Sequence, residues 1–386
     1  MIIGGGIGRL AAAIALQRVG IEAAVFEKIP QIAEVGAGLS LWSNAMVALR
    51  RLGLEEPALK AGSVIERTRT FLSTGEVFGS VDFAALGEIA GAASICLHRA
   101  ALEQILLDAT RAGDPQSVQI GRECIGFAEN TAEVAARFSD GSSERGDVLI
   151  GADGIHSVIR RQLFGVERPR FSGYLAWRGI AERVAQDLPE REALVVLAPG
   201  SQAGCFHCGK QNLYWFLTLN APTGSQPGPL GNQGEVIERL RDWHVRFRPF
   251  VEATKDDAVM RTDVIDLPAR RVWGAGRVLL LGDAIDAMTP DLGQGACQAL
   301  EDAVVLADSL RRLFPPEAGL RDYEARRRRR ANFVIEQSRR LGTVHQLANP
   351  LGVWLRQVID STSWAQQRAE RLFERLLRVD LPELVG

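Results

Sequence analysis

Three segments pair glycines with a carboxylate where a chain reversal would aim both at a polar ligand. The longest runs from Gly282 and Asp283 through Pro290, Asp291, Leu292, Gly293 and Gln294 to Gly295. It follows the apolar run Val278 to Leu281, which reads as a buried strand. It precedes Ala296 to Leu310, whose apolar spacing predicts a helix. A strand ending in an acid, then a Pro/Gly loop, then a helix start presents backbone N–H groups and a carboxylate together. The helix dipole adds partial positive charge at the same point. The second segment, Gly4-Gly5-Gly6-Ile7-Gly8-Arg9, lies between the β-prone Met1 to Ile3 and the helical pattern Leu10 to Val19. A second strand, Ile21 to Phe26, ends at Glu27 and Lys28. This βαβ layout cradles a pyrophosphate: Gly4 permits the tight turn, Gly6 allows close approach, and the Glu27 carboxylate can accept hydrogen bonds from a ribose. The third segment, Gly151-Ala152-Asp153-Gly154, ends the strand Asp147 to Ile150. Asp153 either caps the turn that follows or receives a ligand hydroxyl.

Arg9 departs from the glycine pattern, which wants a third glycine there for close helix–strand packing. A long side chain can snorkel to solvent, but overpacking costs roughly 1–3 kcal/mol. Weakened dinucleotide affinity is the expectation.

Other candidates are less sharply defined. Arg99 opens the amphipathic helix Ala100 to Arg111 and can reach a phosphate or sugar hydroxyl, or lie on the surface. The stretch from Val35 to Asn44, with Gly36 and Gly38, reads as a glycine loop and short strand, with Asn44 as N-cap of helix Ala45 to Arg51. Ala193 to Leu197, Gly204 to Cys208 and Leu213 to Leu219 read as strands of one antiparallel sheet lining a cavity. His207, between Phe206 and Cys208, is a candidate base for a phenolic proton, and a packing histidine is the competing reading. Tyr214 and Trp215 alternate faces, so at most one enters the cavity. Arg178 can meet a substrate carboxylate or make a structural hydrogen bond.

The elements carrying these residues belong to a chain of 386 residues, long enough for two cores. Its net charge of −2 gives no reason to expect nucleic acid or an anionic membrane as partner. The arginine run Arg326 to Arg330 spreads around a predicted helix without a companion basic patch. No apolar run approaches membrane-spanning length. The N-terminal stretch lacks the basic leader of a secretion signal, so a cytoplasmic location is expected. The five cysteines are odd in number and scattered, which disfavours a disulfide framework. Cys205-Phe206-His207-Cys208 has no second Cys/His cluster to complete a metal site. The tail, Leu351 to Leu384, reads as helical; apolar Val353, Leu355, Val358, Leu372 and Leu376 are expected to pack inward.

Together these segments resemble the single-component FAD-dependent aromatic hydroxylases, relatives of salicylate and para-hydroxybenzoate hydroxylases, with zeaxanthin epoxidase-like proteins nearby. The resemblance runs from Ile2 to about Asn349. It implies an α/β fold: a Rossmann-like FAD-binding domain, an inserted, mainly antiparallel β-sheet substrate domain, and a C-terminal helical tail. The FAD domain is expected to comprise residues 1–69, 94–169 and 270–341, the substrate domain 70–93 and 170–269, and the tail 342–386. The resemblance assigns FAD contacts to Gly4, Gly6, Ile7, Gly8, Arg9, Glu27, Lys28, Gly38, Arg99, Asp153, Gly154, Asp283, Pro290, Leu292, Gly293, Gln294 and Gly295. Pro290 to Gly295 matches the loop at the reactive flavin edge, and Asp291 is a candidate for positioning substrate. The family's following helix corresponds to Tyr323 to Arg330, with Ser338 and Gly342 beyond. Asp286 stands where the family usually has histidine. The implied activity is hydroxylation of an aromatic or phenol-like small molecule with NADH or NADPH and O₂, through a C4a-hydroperoxyflavin. Epoxidation and salicylate-type oxidative decarboxylation are rival activities. A non-catalytic binding homologue with weakened FAD affinity is the alternative that Arg9 and Asp286 motivate. The resemblance leaves the substrate, the choice of nicotinamide nucleotide and the oligomeric state open.

Overall fold

The computed structural model describes residues 1–30, 37–182, 184, 188–245 and 247–384. Val35 and Gly36, expected to begin the glycine loop, lie outside the described residues.

Ile2–Ile3, Val25–Glu27, Val118–Ile120, Leu149–Gly151 and Val278–Leu280 form the parallel part of a six-stranded sheet, with Gly274–Ala275 antiparallel at one edge. Ile2–Ile3 sits between Leu149–Gly151 and Val25–Glu27, parallel to both. These strands are short and apolar apart from Glu27, Gln119 and Gly151, and the central ones are buried, as expected where helices cover both faces. The helix Ile7–Arg18 packs between this sheet and the 18-residue helix Gly295–Arg312. Alanines at positions 11, 12, 13 and 15, all fully buried, permit that close packing. Strand order reverses at Ile2–Ile3, and in open α/β sheets such a reversal opens a crevice at the carboxyl ends of the strands.

A seven-stranded sheet stands beside the first. Its order is Met260–Asp266, Arg170–Glu182, Asn212–Asn220, Ser201–His207, Glu192–Ala198, Arg67–Leu72, Val77–Asp82, antiparallel except where Glu192–Ala198 meets Arg67–Leu72. The expected division at 69/70 therefore falls inside one strand of this sheet. One face, with Trp177, Val196, Cys205, Trp215 and Leu217, is buried beneath the helices Gly231–Arg239 and Arg248–Glu252. The other face turns toward the six-stranded sheet's strand ends.

The 30-residue helix Pro316–His345 spans the two regions. Most of its arginine run is engaged within the chain: Arg326 binds Asp308, Arg327 binds Glu301 and Asp302, Arg328 binds Glu324, and Arg330 binds Glu301. Arg327 and both its acids are at most 3% exposed, so the pairing is obligatory; removing one partner would leave a buried charge unmatched. Two helices, Pro350–Asp360 and Ser363–Leu377, follow. Val353 and Leu376 pack inward as expected and Leu372 is half-buried, but Leu355 and Val358 face outward. Among the described residues, no helix is long and apolar enough to cross a membrane.

Candidate active site

The three glycine turns meet. Gly4, Ala152 and Leu281 each follow the end of one of three adjacent parallel strands, and the backbone links them. Ala152 N–H donates to the Ile3 carbonyl (2.7 Å), and Leu281 N–H donates to the Gly151 carbonyl (2.9 Å). Gly4 holds φ +135°, and a Cβ there would overlap the Ala152 carbonyl. Gly8 is needed for a different contact: its Cβ would lie 2.9 Å from Leu281 Cδ2 and 3.2 Å from the Ala299 side chain. That clearance lets the first helix approach the strand end and the Gly295–Arg312 helix.

A cleft of about 1390 Å³ runs from these turns to the inner face of the seven-stranded sheet. That exceeds the usual 300–1,000 Å³ of a small-ligand site and leaves room for a dinucleotide plus a second molecule. Gly4, Gly6, Ile7, Gly8, Glu27 and Lys28 line one end, and Gly38, Arg99, Asp153, Gly154 and Asp283 the middle. Pro290, Asp291, Leu292, Gly293 and Gly295 line the junction with the apolar chamber.

Several observations fit FAD. The helices beginning at Ile7 and Gly295 have no side-chain cap and no acid in their first turn, so their leading N–H groups remain for an anionic ligand. Gly154 (φ +78°) and Gly293 (φ +62°) occupy the left-handed region that a side chain disfavours, which keeps backbone at the cleft surface. Trp42 Nε1 donates to the Leu292 carbonyl (3.0 Å) and fixes the loop from behind. Asp283 presents its carboxylate to the cleft; desolvation by the surrounding protein pushes its pKa up, against the pull of Arg99. Arg99 pairs with Glu103 at 3.0 Å and remains exposed.

Other placements decide between the readings the sequence left open, or correct them. Arg9 does not snorkel: it is 2% exposed, and its guanidinium turns back to pair with Glu27 and donate to the Gly4 carbonyl. The other Glu27 oxygen accepts from Ile29 N–H (2.8 Å). Asp153 acts as a cap, accepting from Ser157 Oγ (2.6 Å) and Val158 N–H (2.7 Å). Asn44 does not cap its helix, which begins at Ser43 after Trp42; its amide donates to Gln294 Oε1 (2.9 Å) and Glu301 Oε1 (2.6 Å). The Gln294 side chain is thereby drawn beneath the loop and does not line the cleft. His207 is on the wrong face. On strand Ser201–His207, Gln202 and Phe206 line the cleft, so His207 points oppositely, and its Nε2 lies 3.0 Å from the Leu188 carbonyl. It is not placed to act as a base there. Tyr214 does enter the chamber, whereas Trp215 donates to Thr254 on the far side. Burial pushes the Tyr214 phenol up to about 12, against the pull of Arg178. Arg178 lines the chamber and donates to Thr262 Oγ1 (2.9 Å).

Asp286 is 1% exposed with Oδ2 unpartnered; burial, with Asp302 and Asp283 nearby, raises its pKa well above the usual carboxylate range. Glu301 behaves oppositely: burial alone would raise it, but Arg327 and Arg330 hold it at about 2. Tyr174 donates to Asp291 Oδ2 (2.6 Å), and desolvation raises the Asp291 carboxyl. Gly342 fits against that carboxylate, and Ser338 Oγ donates to the Thr289 carbonyl (2.6 Å), so the long helix braces the loop.

Sequence reasoning missed two chamber residues. His345, at the end of the long helix, lies with Nδ1 3.1 Å from Gln202 Oε1, and both line the cleft. Burial and then Arg356 lower the His345 pKa to about 4, so the imidazole is neutral. No local signal marks either residue; they meet only because helix end and sheet are brought together.

The geometry is that of a flavoprotein oxidoreductase. The chain matches the FAD_binding_3 family model, described as an FAD binding domain, over residues 1–338, and belongs to that family of FAD-dependent monooxygenases. It is 38% identical over 357 residues to the aurachin C monooxygenase/isomerase of Stigmatella aurantiaca, covering 92% of each protein. It is 31% identical over 381 residues to an FAD-dependent urate hydroxylase of Klebsiella pneumoniae, covering 98% of this chain and 96% of that one. The crystal structure of Klebsiella pneumoniae HpxO complexed with FAD and uric acid matches with a TM-score of 0.90 at 28% identity, covering 97% of this chain and 96% of that one.

Proposed function

We propose that this chain uses NADH or NADPH and O₂ to add one oxygen atom to an aromatic or conjugated ring held in the chamber, with FAD lying along the cleft. The single observation that supports this most is continuity: one cleft joins the glycine turns to an apolar chamber, with the Pro290–Gly295 loop at the junction. Bound FAD supplies the redox and oxygen-activating chemistry. The chain positions the reactants and excludes water. Glu27, Arg99 and Asp283 hold the nucleotide and its linking chain. The helix N-terminus at Gly295 favours negative charge on the ring system at that end.

Val195, Leu197, Phe206, Phe216, Met260 and Leu341 give the chamber an apolar wall, which selects a ring with substantial apolar surface. Polar groups are few: Tyr214, Arg178, Thr218, Gln202 and His345. His345 replaces His207 as the chamber histidine; with its pKa lowered to about 4 it stays neutral and serves as a hydrogen-bond acceptor for a ring hydroxyl, not as a strong base. With Nδ1–H assigned toward Gln202 Oε1, Nε2 is left as an acceptor. Tyr214, protonated up to about pH 12, can donate to a ring oxygen. Asp291, tied to Tyr174, orients the loop at the junction.

The test is a panel of substituted aromatic compounds with FAD-loaded protein, following NAD(P)H consumption and product mass. A ring compound that stimulates oxidation and gains one oxygen supports the reading. Stimulation without oxygen in any organic product sinks it. A second reading is oxygen insertion into a ring double bond followed by rearrangement. Likeness to the monooxygenase/isomerase at 38% identity favours it. Product NMR distinguishes a phenol from a rearranged ring.

A further inference from the structure

The helix Pro350–Asp360 is inside out. Its apolar side chains at Leu351, Trp354, Leu355, Val358 and Ile359 are 43–65% exposed. Its arginine, Arg356, is 4% exposed and turns inward, where Nη1 lies 3.1 Å from the His345 carbonyl. The helix is firmly started: Asn349 Oδ1 accepts from Gly352 N–H (2.6 Å), with Pro350 at its first position. The outward apolar face therefore belongs to an ordered element. Trp364, on the next helix, adds another ring, 62% exposed. Soluble monomers rarely leave so many large apolar side chains together unless the patch binds something.

Charge says what that is. Arg368 stacks over the Trp364 ring at 5.4 Å, and Trp364, Gln367, Arg368 and Arg371 line one shallow surface depression. Trp364, Arg368 and Arg371 share a face at helical spacing. The opposite face of the same helix, with Gln366, Ala369, Glu370 and Phe373, lines the main cleft. One short helical pair thus walls the cleft on its inside and offers apolar, tryptophan and arginine side chains outside. Tryptophan and arginine beside an apolar stripe suit the boundary between lipid headgroups and acyl chains. Eleven residues span only about 16 Å, so such a helix lies in the interface and does not cross it. A second copy on the same face would bring two arginine clusters toward each other, whereas anionic headgroups complement them.

We propose that the Pro350–Leu377 helical pair docks this protein on the surface of an anionic phospholipid bilayer, with the cleft wall held against the lipid. The overall charge of −2 does not oppose this, because the patch is local. An apolar ring substrate dissolved in lipid would then lie next to the cleft without passing through bulk water.

The test is flotation of the full FAD-loaded chain with vesicles of phosphatidylcholine containing phosphatidylglycerol, and with phosphatidylcholine alone. The protein should float with the mixed vesicles, bind the neutral ones roughly tenfold more weakly, and lose binding at least about tenfold in the double variant Trp354→Glu/Val358→Glu. Both positions are exposed, so the variant should keep its flavin absorbance and melting temperature. Failure of the wild type to float with either vesicle overturns the proposal, as does a variant that floats equally well. A dimer in sedimentation that the double substitution splits would assign the face to a second copy and also overturn it.

Discussion

The nucleotide end of the cleft is built from backbone, and the chamber end from side chains. At the first, function sits in chain turns: Gly4 against Ala152, Gly8 against Leu281, and two uncapped helix starts. The positions are fixed by strand ends that cannot move without dismantling the sheet. At the second, the wall is the pleated face of a sheet whose strands supply alternate residues, so its shape depends on a dozen side chains. A backbone site tolerates little change in its glycines. A side-chain site can be altered residue by residue while the sheet persists.

The largest expected effect tests that contrast directly. Gly4→Val places a branched side chain at φ +135°, where it overlaps the Ala152 carbonyl. Strain and overlap together should cost roughly 3 kcal/mol or more. The protein should lose FAD on gel filtration, with affinity down more than about 100-fold. Val195→Ala on the chamber wall should keep its flavin and change only which compounds stimulate NAD(P)H oxidation. Equal flavin loss in both variants would break the distinction.

The same contrast explains what could be read from the chain alone. Gly4, Gly154, Asp283 and Gly293 were legible because a strand followed by a glycine turn constrains the backbone wherever it occurs. The long-range contacts were not. Asn44 reads locally as a cap, yet its amide reaches Glu301, 257 positions away in sequence. Gln294 sits in the right loop, but Asn44 draws its side chain beneath it. The His207 error has a simple cause: a strand is visible in sequence, but which of its two faces meets the ligand is not, and a shift of one residue exchanges Phe206 for His207. His345 was invisible because the chamber acquires it from a helix end far along the chain. Arg9 is legible as a departure, with snorkelling or overpacking as its two outcomes; the structure shows neither. The nearby Glu27 carboxylate offered a stronger destination.

His345 gives a second, smaller test, on the chamber side. Its pKa falls from 6.5 to about 4 on folding, burial first and Arg356 second. Between those values the unfolded chain binds a proton that the folded chain does not, so stability is full above about pH 6.5 and declines as pH drops toward 4. The effect should amount to roughly 1–3 kcal/mol over that window. Glu301 titrates lower, and the raised carboxyls of Asp286 and Asp302 act in the opposite direction, but all three are common to wild type and variant. The difference between wild type and His345→Gln in denaturant midpoint against pH therefore isolates the histidine. A difference that does not change between pH 6.5 and 4 would show that the imidazole is not held neutral.

The smallest effect returns to the nucleotide end and to the one place where a side chain intrudes on a backbone site. Arg9 neutralises Glu27 and occupies part of the carboxylate that a ribose would use. Arg9→Gly frees that carboxylate for sugar hydroxyls but leaves a 2% exposed charge unmatched in the empty protein. The two consequences have opposite signs and appear in different measurements. The FAD-free protein should melt at a lower temperature than wild type. The variant should nevertheless bind FAD about tenfold more tightly, a change of about 1.4 kcal/mol, because ribose hydroxyls then satisfy a charge that would otherwise be buried alone. Fluorescence titration of FAD into the flavin-stripped proteins, with melting curves in parallel, reads both. Tighter binding with a lower empty-state melting point identifies Arg9 as a competitor for the ribose acid. Weaker binding would mean that the guanidinium itself contacts the cofactor, and the backbone end of the cleft would then depend on a side chain after all.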